Sequence, residues 1–345
     1  MGSGFTDVLE PKTIERGYLR NKVLAVDAFN TLYTFLTTIR GRDGTPLTTE
    51  DGTVTSHLVG IFNRFTTFME HRMKFVFVFD GESPDLKAEE QQRRRERKEE
   101  AAEKLEEAKE EGDVKKMKKY AARATFLSEE MQEQAKELIE ALGMDWIDAP
   151  SEGEAQAARL TRNGDAYGVI SQDADSLLNG ATRVIRNLSI SGRRKMPGQQ
   201  YYKQVKPELY DLKRVKDNLS VSQDQLVALA ILVGTDYNRG GVKGIGPKRG
   251  LQKVQKHGDD LEAIFDDTDW EKQYPDLSWR RIYDTITGIP VTDDYTVSFD
   301  DIDYDGVHSL LVDKYDFDDE TTRSRLDDLQ DELEGHQQTG LSDFT

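Results

Sequence analysis

The sequence predicts an α/β protein, a mixed, mostly parallel sheet lying between helices. Three observations predict it. Residues 23–26 (in VLAVDAFN), 75–79 (in FVFVFDGE) and 167–171 (in YGVISQDADSLL) are short apolar runs without polar alternation, which suits strands buried on both faces. Stretches of helical periodicity lie between them. Each run also leads into acid, at Asp27, at Asp80, and at Asp173 with Asp175. In open α/β sheets the C-terminal strand edge is where chemistry gathers.

In chain order, the first strand is followed by a helix with Leu32, Phe35, Leu36 and Ile39 on one face, then by turn chemistry in residues 40–51. Residues 55–70 read as a second helix. Residues 84–125 have almost no bulky apolar side chain, and their Glu–Lys spacings suit a solvated helical pair broken at Gly112-Asp113. Inserted directly after an acidic strand end, such a hairpin stands over the site rather than in the core. Residues 129–142 form an amphipathic helix stopped by Gly143. Ser151, three residues before Glu154, reads as a capping box that puts Glu152 and Glu154 in a first helical turn. Residues 189–200 read as an exposed basic loop, and residues 222–233 as an apolar helix. Val242 to Lys253 then reads as a glycine turn, with Pro247 at the first position of a helix beside Lys248 and Arg249. Backbone N–H groups at such a helix start suit an anion, although an ordinary helix–turn–helix connection has the same pattern.

Glu154 could merely cap its helix, and Asp-x-Asp after a strand is also common turn chemistry. Recurrence is what separates the readings. Three strand ends and one helix start bring carboxylates to one edge, where they repel unless cations fill the cluster. All-oxygen ligands suit Mg²⁺ or Mn²⁺ before Zn²⁺.

The 345 residues contain no Cys, which excludes disulfides, thiolate metal sites and cysteine nucleophiles. No apolar run approaches membrane-spanning length and the start lacks a signal-peptide core, so a cytoplasmic protein is expected. The net charge of −18 is unevenly spread. Residues 259–345 hold 26 acids and 6 bases, whereas residues 183–256 hold 16 bases and 5 acids. A basic middle masked by an acidic end is compatible with nucleic-acid binding. The aspartate excess suits a protein kept soluble in high salt, and an ordinary acidic interaction tail has the same composition. On one reading the acidic end competes with DNA for the basic middle; on the rival reading it is packed, with Leu310, Leu311, Tyr315 and Phe317 buried and only residues 338–344 free.

VDAFNTLY, FVFDGESPDLK, RRRERK, APSEGEAQAA, SQDADSLL, GTDYNRGGVKGIGPKR and a terminal QTGLSDF occur together and in order. In this the chain closely resembles, over essentially its whole length, the archaeal and eukaryotic flap endonucleases of the structure-specific 5′ nuclease family. With its acidic composition, this points to a halophilic archaeon and a nucleoid-associated enzyme of the cell interior. The resemblance implies an α/β nuclease core with a helical arch and a helix–two-turn–helix DNA-binding module. It implies metal ligands at Asp27, Asp80, Glu152, Glu154, Asp173, Asp175 and Asp236, the last resting mainly on the resemblance. Two Mg²⁺ ions, with Mn²⁺ as an alternative, would sit roughly 4 Å apart and support phosphodiester hydrolysis without a covalent intermediate. Lys87 and Arg94 match the arch bases beside the metals. Tyr33 matches an aromatic that stacks on the nucleotide at the cleavage point, and Arg40 and Arg64 match duplex-contacting arginines. Gly234, Asp236, Lys243, Gly244, Gly246, Lys248 and Arg249 match the duplex-holding turn, where the family often binds K⁺; Glu152 also falls beside the nucleic acid. Gly2 matches a terminal glycine exposed once Met1 is removed.

The implied partners are branched duplex DNA with a 5′ flap and, through Gln338, Leu341 and Phe344, a sliding clamp. A monomer without a membrane partner is expected. Three departures stand out: Ser83 replaces the first proline after Asp-Gly, Asn179 stands where an aromatic is common, and the clamp peptide ends in Thr345 rather than a second aromatic. The implied divisions are an N-terminal nuclease region (1–98), an arch continuation (99–125), an internal nuclease region with the helix–two-turn–helix (126–258), an acidic C-terminal region (259–337) and the clamp peptide (338–345). Two rival functions share these features: a sister nuclease acting on nicks, gaps or four-way junctions, and a non-catalytic clamp adaptor.

Overall fold

The computed structural model describes the chain except residues 1–3, 43, 88–95, 99, 102, 106, 109–110, 114–115, 118, 122–125, 190–193, 196–201, 204 and 343–345; for 194–195, 202–203 and 336–342 the backbone alone is described. Its strands are β1 (Lys12–Thr13), β2 (Val23–Asp27), β3 (Lys74–Phe79), β4 (Asp145–Asp148), β5 (Gly168–Ile170), β6 (Arg183–Arg186), the separate pair β7 (Arg194–Lys195) and β8 (Tyr202–Lys203), and β9 (Glu208–Asp211). Among the described residues the main sheet has the order β1-β9-β6-β5-β2-β3-β4. From β6 to β4 all neighbours are parallel, and β9 and β1 are antiparallel. The β2–β3 register runs from Val23↔Lys74 to Asp27↔Val78, which brings Asp27 and Asp80 to one edge.

The central strands are buried on both faces, as their unbroken apolar runs require. Leu24, Val26, Phe75, Phe77 and Phe79 pack into one core with α1 (Ala28–Thr38), α2 (Ser56–Met69) and α3 (Glu129–Ala141). Phe65 on α2 meets Phe75 and Phe77 at ring-centroid distances of 4.8 and 4.7 Å. Ala25, Val76, Val78 and Val169 point the other way, into a second core with α4 (Gly153–Asn163), α5 (Leu212–Leu219), α6 (Gln223–Val233) and α7 (Pro247–His257). The second core continues through α8 (Leu261–Asp266), α9 (Trp270–Gln273) and α10 (Trp279–Thr287), where Phe265 stacks on Trp279.

Two expectations are corrected. The Ser151–Glu154 capping box does not form: Glu152 is itself the N-cap of α4, without a side-chain cap, and the Ser151 hydroxyl donates to the Glu82 carbonyl at 2.7 Å. A capping Glu154 would fold back on the helix start, whereas here its carboxyl is felt by Asp175 and Lys87. The second correction concerns the acidic end, where the competing-tail reading gives way to the packed one. Residues 289–303 form an extended strap that leaves the second core, passes the β4 edge and reaches the first. Gly143, at φ 68°, lies so close to it that a Cβ would stand 2.4 Å from the Asp300 carbonyl oxygen. Beyond the strap come α11 (Tyr304–Ser309), a π-turn (Leu310–Lys314) and α12 (Asp319–Ser342), with Val307, Leu311, Tyr315 and Leu326 in the first core and Leu329 buried as well. Arg325 pairs with Glu70 at 2.9 Å. This region is an integral part of the fold, not a solvated tail free to compete with DNA.

The polar segment is helical at its described residues between 96 and 121, with a turn at Gly112 (φ 67°) and buried Ala101, Ala108 and Ala121. It begins at the short 3-10 turn Asp85–Lys87, six residues after β3 ends.

Candidate active site

The acids gather at the C-terminal edge of the parallel strands. Asp27 ends β2 and caps α1: one oxygen accepts the Asn30 N–H and the other the Ser171 hydroxyl, both at 3.0 Å. Burial, followed by repulsion from Asp80, pushes its carboxyl up to about 7. Asp80 follows β3 and accepts the Gly153 N–H at 2.6 Å. It is raised as well, by desolvation first and then by Glu152, against the Gly153 N–H and Lys87. Glu154 is raised well above the usual carboxylate range by burial and by Asp175. Asp173 lies beyond β5 and receives the Asn30 side-chain amide at 3.3 Å. Asp236, after α6, acts electrostatically on Lys87 and Tyr237. The seven acids picked out in the sequence therefore share one electrostatic neighbourhood.

Lys87 enters this cluster. Its ammonium lies 2.5 Å from Glu152 Oε1 and 5.5 Å from the centre of the Tyr237 ring. Burial opposes the charge, but Glu154, Glu152 and Asp236 outweigh it and raise the lysine further. The Tyr237 hydroxyl donates to the same Glu152 oxygen at 3.4 Å.

Beside the acids, Tyr33 stacks on the exposed Phe29 ring and carries the Lys98 ammonium 5.4 Å from its centre. Arg40 donates to the Thr37 and Gly44 carbonyls at 2.9 and 2.7 Å, so it braces its own turn. Arg64 lies on α2, where burial and then Arg16 lower its pKa. At the glycine turn, Gly234 has φ 119° and Gly244 φ 82°. The Lys243 N–H donates to Gln273 Oε1 at 2.7 Å. Gly246 is the N-cap of α7, Pro247 its first residue, and Arg249 donates to the Gly244 carbonyl at 3.0 Å. The turn, with Asp7, Val8, Lys248 and Arg249, lines an open cleft of about 400 Å³. Gly2, Arg94 and Phe344 lie outside the described residues, as do the side chains of Gln338 and Leu341.

Residues 2–101 match the XPG N-terminal domain and residues 143–236 the XPG I-region. Flap endonuclease 1 of Hyperthermus butylicus is 45% identical over 347 residues, covering 99% of this chain and 98% of that protein. The chain belongs to the flap endonuclease 1 family. The Pyrococcus furiosus member is 43% identical over 344 residues, covering 100% of this chain and 99% of its own. The solved flap endonuclease-1 from Methanococcus jannaschii superposes with a TM-score of 0.74 at 36% identity, over 97% of this chain and 100% of that one. The catalytic core of Rad2 in complex with DNA substrate has a TM-score of 0.67 at 22% identity, over 95% and 100% of the two chains, and this shows a shared fold alone.

Sequence reasoning about this flap endonuclease 1 family member missed four residues that organise the acids. Asn30 ties Asp27 to Asp173 and accepts the Gln172 N–H; Ser171 and Gly153 each serve one carboxylate; Tyr237 serves Glu152. Asn30 stands three residues after Asp27, the spacing of a cap, and that was its one legible signal. Among the described residues no group of three or more His, Asp or Glu is arranged to hold a metal ion. The donor chemistry still fits hard divalent cations, because the groups are all oxygen and burial with mutual repulsion raises Asp27, Asp80 and Glu154 together.

Proposed function

We propose that this protein is a structure-specific endonuclease that hydrolyses the phosphodiester at a 5′ flap junction, with 5′–3′ exonuclease activity, in DNA replication and repair. The observation that carries this reading is that seven carboxylates and Lys87 share one electrostatic neighbourhood beside the C-terminal strand edge, at the root of a polar helical segment. Asp27, Asp80, Glu152, Glu154, Asp173, Asp175 and Asp236 would hold two Mg²⁺ ions, or Mn²⁺. When bound, such ions supply Lewis acidity and lower the pKa of water. Lys87, with Arg94, neutralises charge that develops on the scissile phosphate. Tyr33, on its Phe29 platform, stacks on the neighbouring base. The turn from Gly234 to Arg249, through Asp236, Lys243, Gly244, Gly246 and Lys248, grips phosphates of the duplex and so reads shape rather than sequence. Asp7 beside that turn suits a K⁺ ion there. Arg40 and Arg64 contact the duplex, and Gly2, which lies outside the described residues, serves the nucleic acid as well.

Gln338, Leu341 and Phe344 form the clamp-binding peptide, and the protein works as a cytoplasmic monomer. No helix among the described residues is long and apolar enough to cross a membrane. The aspartate-rich surface suits a halophilic archaeon.

The test is Mg²⁺-dependent cleavage of a labelled double-flap substrate beside a nicked duplex and a four-way junction. Cleavage of the flap substrate far ahead of the other two is expected. A preference for the four-way junction would assign the chain to the sister activity, and no cleavage with retained DNA binding would make it an adaptor.

A further inference from the structure

Tyr237 is mounted more firmly than a surface tyrosine. Its backbone N–H donates to the Thr235 hydroxyl at 3.2 Å, and that hydroxyl donates to Asn238 Oδ1 at 2.7 Å. Asn238 is itself anchored to the Ile231 carbonyl at 2.7 Å, and both Thr235 and Asn238 are buried. From this mount the side chain meets two charged groups. Its hydroxyl reaches Glu152 Oε1, and its ring lies 5.5 Å from the Lys87 ammonium. That same Glu152 oxygen takes Lys87 at 2.5 Å. One carboxylate oxygen thus accepts two donors, and one ring engages the lysine that supplies the stronger of them.

An oxygen held in this way is contested between Lys87 and a cation. A divalent ion that takes Glu152 Oε1 competes with Lys87 for it, and the ammonium it displaces, attached at the root of the hairpin, becomes available to another anion. We propose that Tyr237 is a positioning residue that keeps Lys87 on Glu152 until a divalent cation displaces it, so that metal loading releases the lysine toward the substrate phosphate. This rests on the cleavage reading given above. The hydroxyl lowers the freedom of Glu152, and the ring attracts the ammonium through its π face.

The experiment is calorimetric titration of Mg²⁺ into the full-length, DNA-free protein, where no turnover occurs. Lys87→Met removes the competing cation and is expected to bind Mg²⁺ about tenfold more tightly, or about 1.4 kcal/mol. Tyr237→Phe keeps the ring and removes the hydroxyl, so about threefold tighter binding is expected by the same relation. In the Lys87→Met background the tyrosine change is expected to have no further effect, because it acts through the lysine. A tyrosine effect of equal size in both backgrounds would overturn the proposal, as would unchanged or weaker binding by Tyr237→Phe alone. A parent protein that binds no Mg²⁺ would overturn the metal reading of the acid cluster and this inference with it. Thermal melting of each variant separates loss of fold from loss of positioning.

Discussion

Individual acids at the site are held at a cost to the metal-free fold, and single substitutions expose it. Asp175 is the leading charged neighbour that raises Glu154. Asp175→Ala is therefore expected to abolish cleavage, leave flap binding measurable, and leave metal-free thermal stability unchanged or higher. Undiminished single-turnover cleavage would remove Asp175 from the machinery. Asp27 gives a pH signature. Its folded pKa is raised from 3.8 to about 7, so between those values the folded state binds the extra proton and stability falls as pH rises. His57 works in the opposite sense over much of the same window. It is fully buried, and burial lowers it from 6.5 to about 4 against the opposing effect of the neighbouring Gln134 side chain. Stability that depends on neutral His57 is complete above pH 6.5 and is lost as pH falls toward 4. Melting curves without Mg²⁺ should separate the two: Asp27→Asn relieves the loss toward neutral pH, and His57→Leu relieves the loss on the acid side. Parallel pH profiles for the parent and both variants would contradict these assignments.

At the scale of elements, the strands and the glycine turn were the most legible because their constraints are local. A strand buried on both faces must be apolar throughout, and residues 75–79 are. The turn needs positive φ in a confined space. Gly241 has φ 60°, and a Cβ there would stand 2.2 Å from the Val233 carbonyl carbon; Gly240 has φ 82° with nothing within 4 Å. Gly240→Ala should cost about 1 kcal/mol of backbone strain, and Gly241→Ala about 3 kcal/mol or more once the clash is added. Denaturant melts that ranked the two equally would show that the turn yields. The C-terminal elements were legible only as one of two open readings. Val307, Leu311 and Tyr315 recur every four residues and Leu326 and Leu329 add a further turn, but this stripe is diluted by aspartates, so composition alone does not separate a packed end from a solvated tail. Removing residues 338–345 should leave the melting temperature unchanged and abolish stimulation by a sliding clamp. Ending the chain at residue 303 should expose the first core and unfold it.

Across the whole molecule, the site depends on contacts that no local pattern encodes. Asn30 reaches Asp173 across 143 residues and Tyr237 reaches Glu152 across 85, so their roles emerge only when the sheet edge assembles. The strand ends themselves were legible, because each places its acid by chain direction alone. Charge distribution is a second global property, and the packed C-terminal region changes what it implies. Asp293 pairs with Arg159, Asp319 with His308 and Arg323, and Asp316 accepts the Glu50 N–H, so these acids are held in place. They cannot swing onto the basic surface in competition with DNA. The salt dependence of flap binding should accordingly be set by phosphate contacts alone, with the logarithm of affinity falling linearly against the logarithm of salt by ~0.9 per phosphate neutralised. Lys248 and Arg249 are exposed in the first turn of α7, where the helix start adds its own attraction for phosphate. Replacing both by Ala is expected to reduce that slope by about 2 and weaken binding most at low salt. The form without residues 338–345 should keep the parent slope. Fluorescence anisotropy of a labelled flap duplex at several salt concentrations measures all three. An unchanged slope in the double substitution would move the duplex grip away from the glycine turn, and a steeper slope in the shortened form would show that the terminal peptide itself competes with DNA.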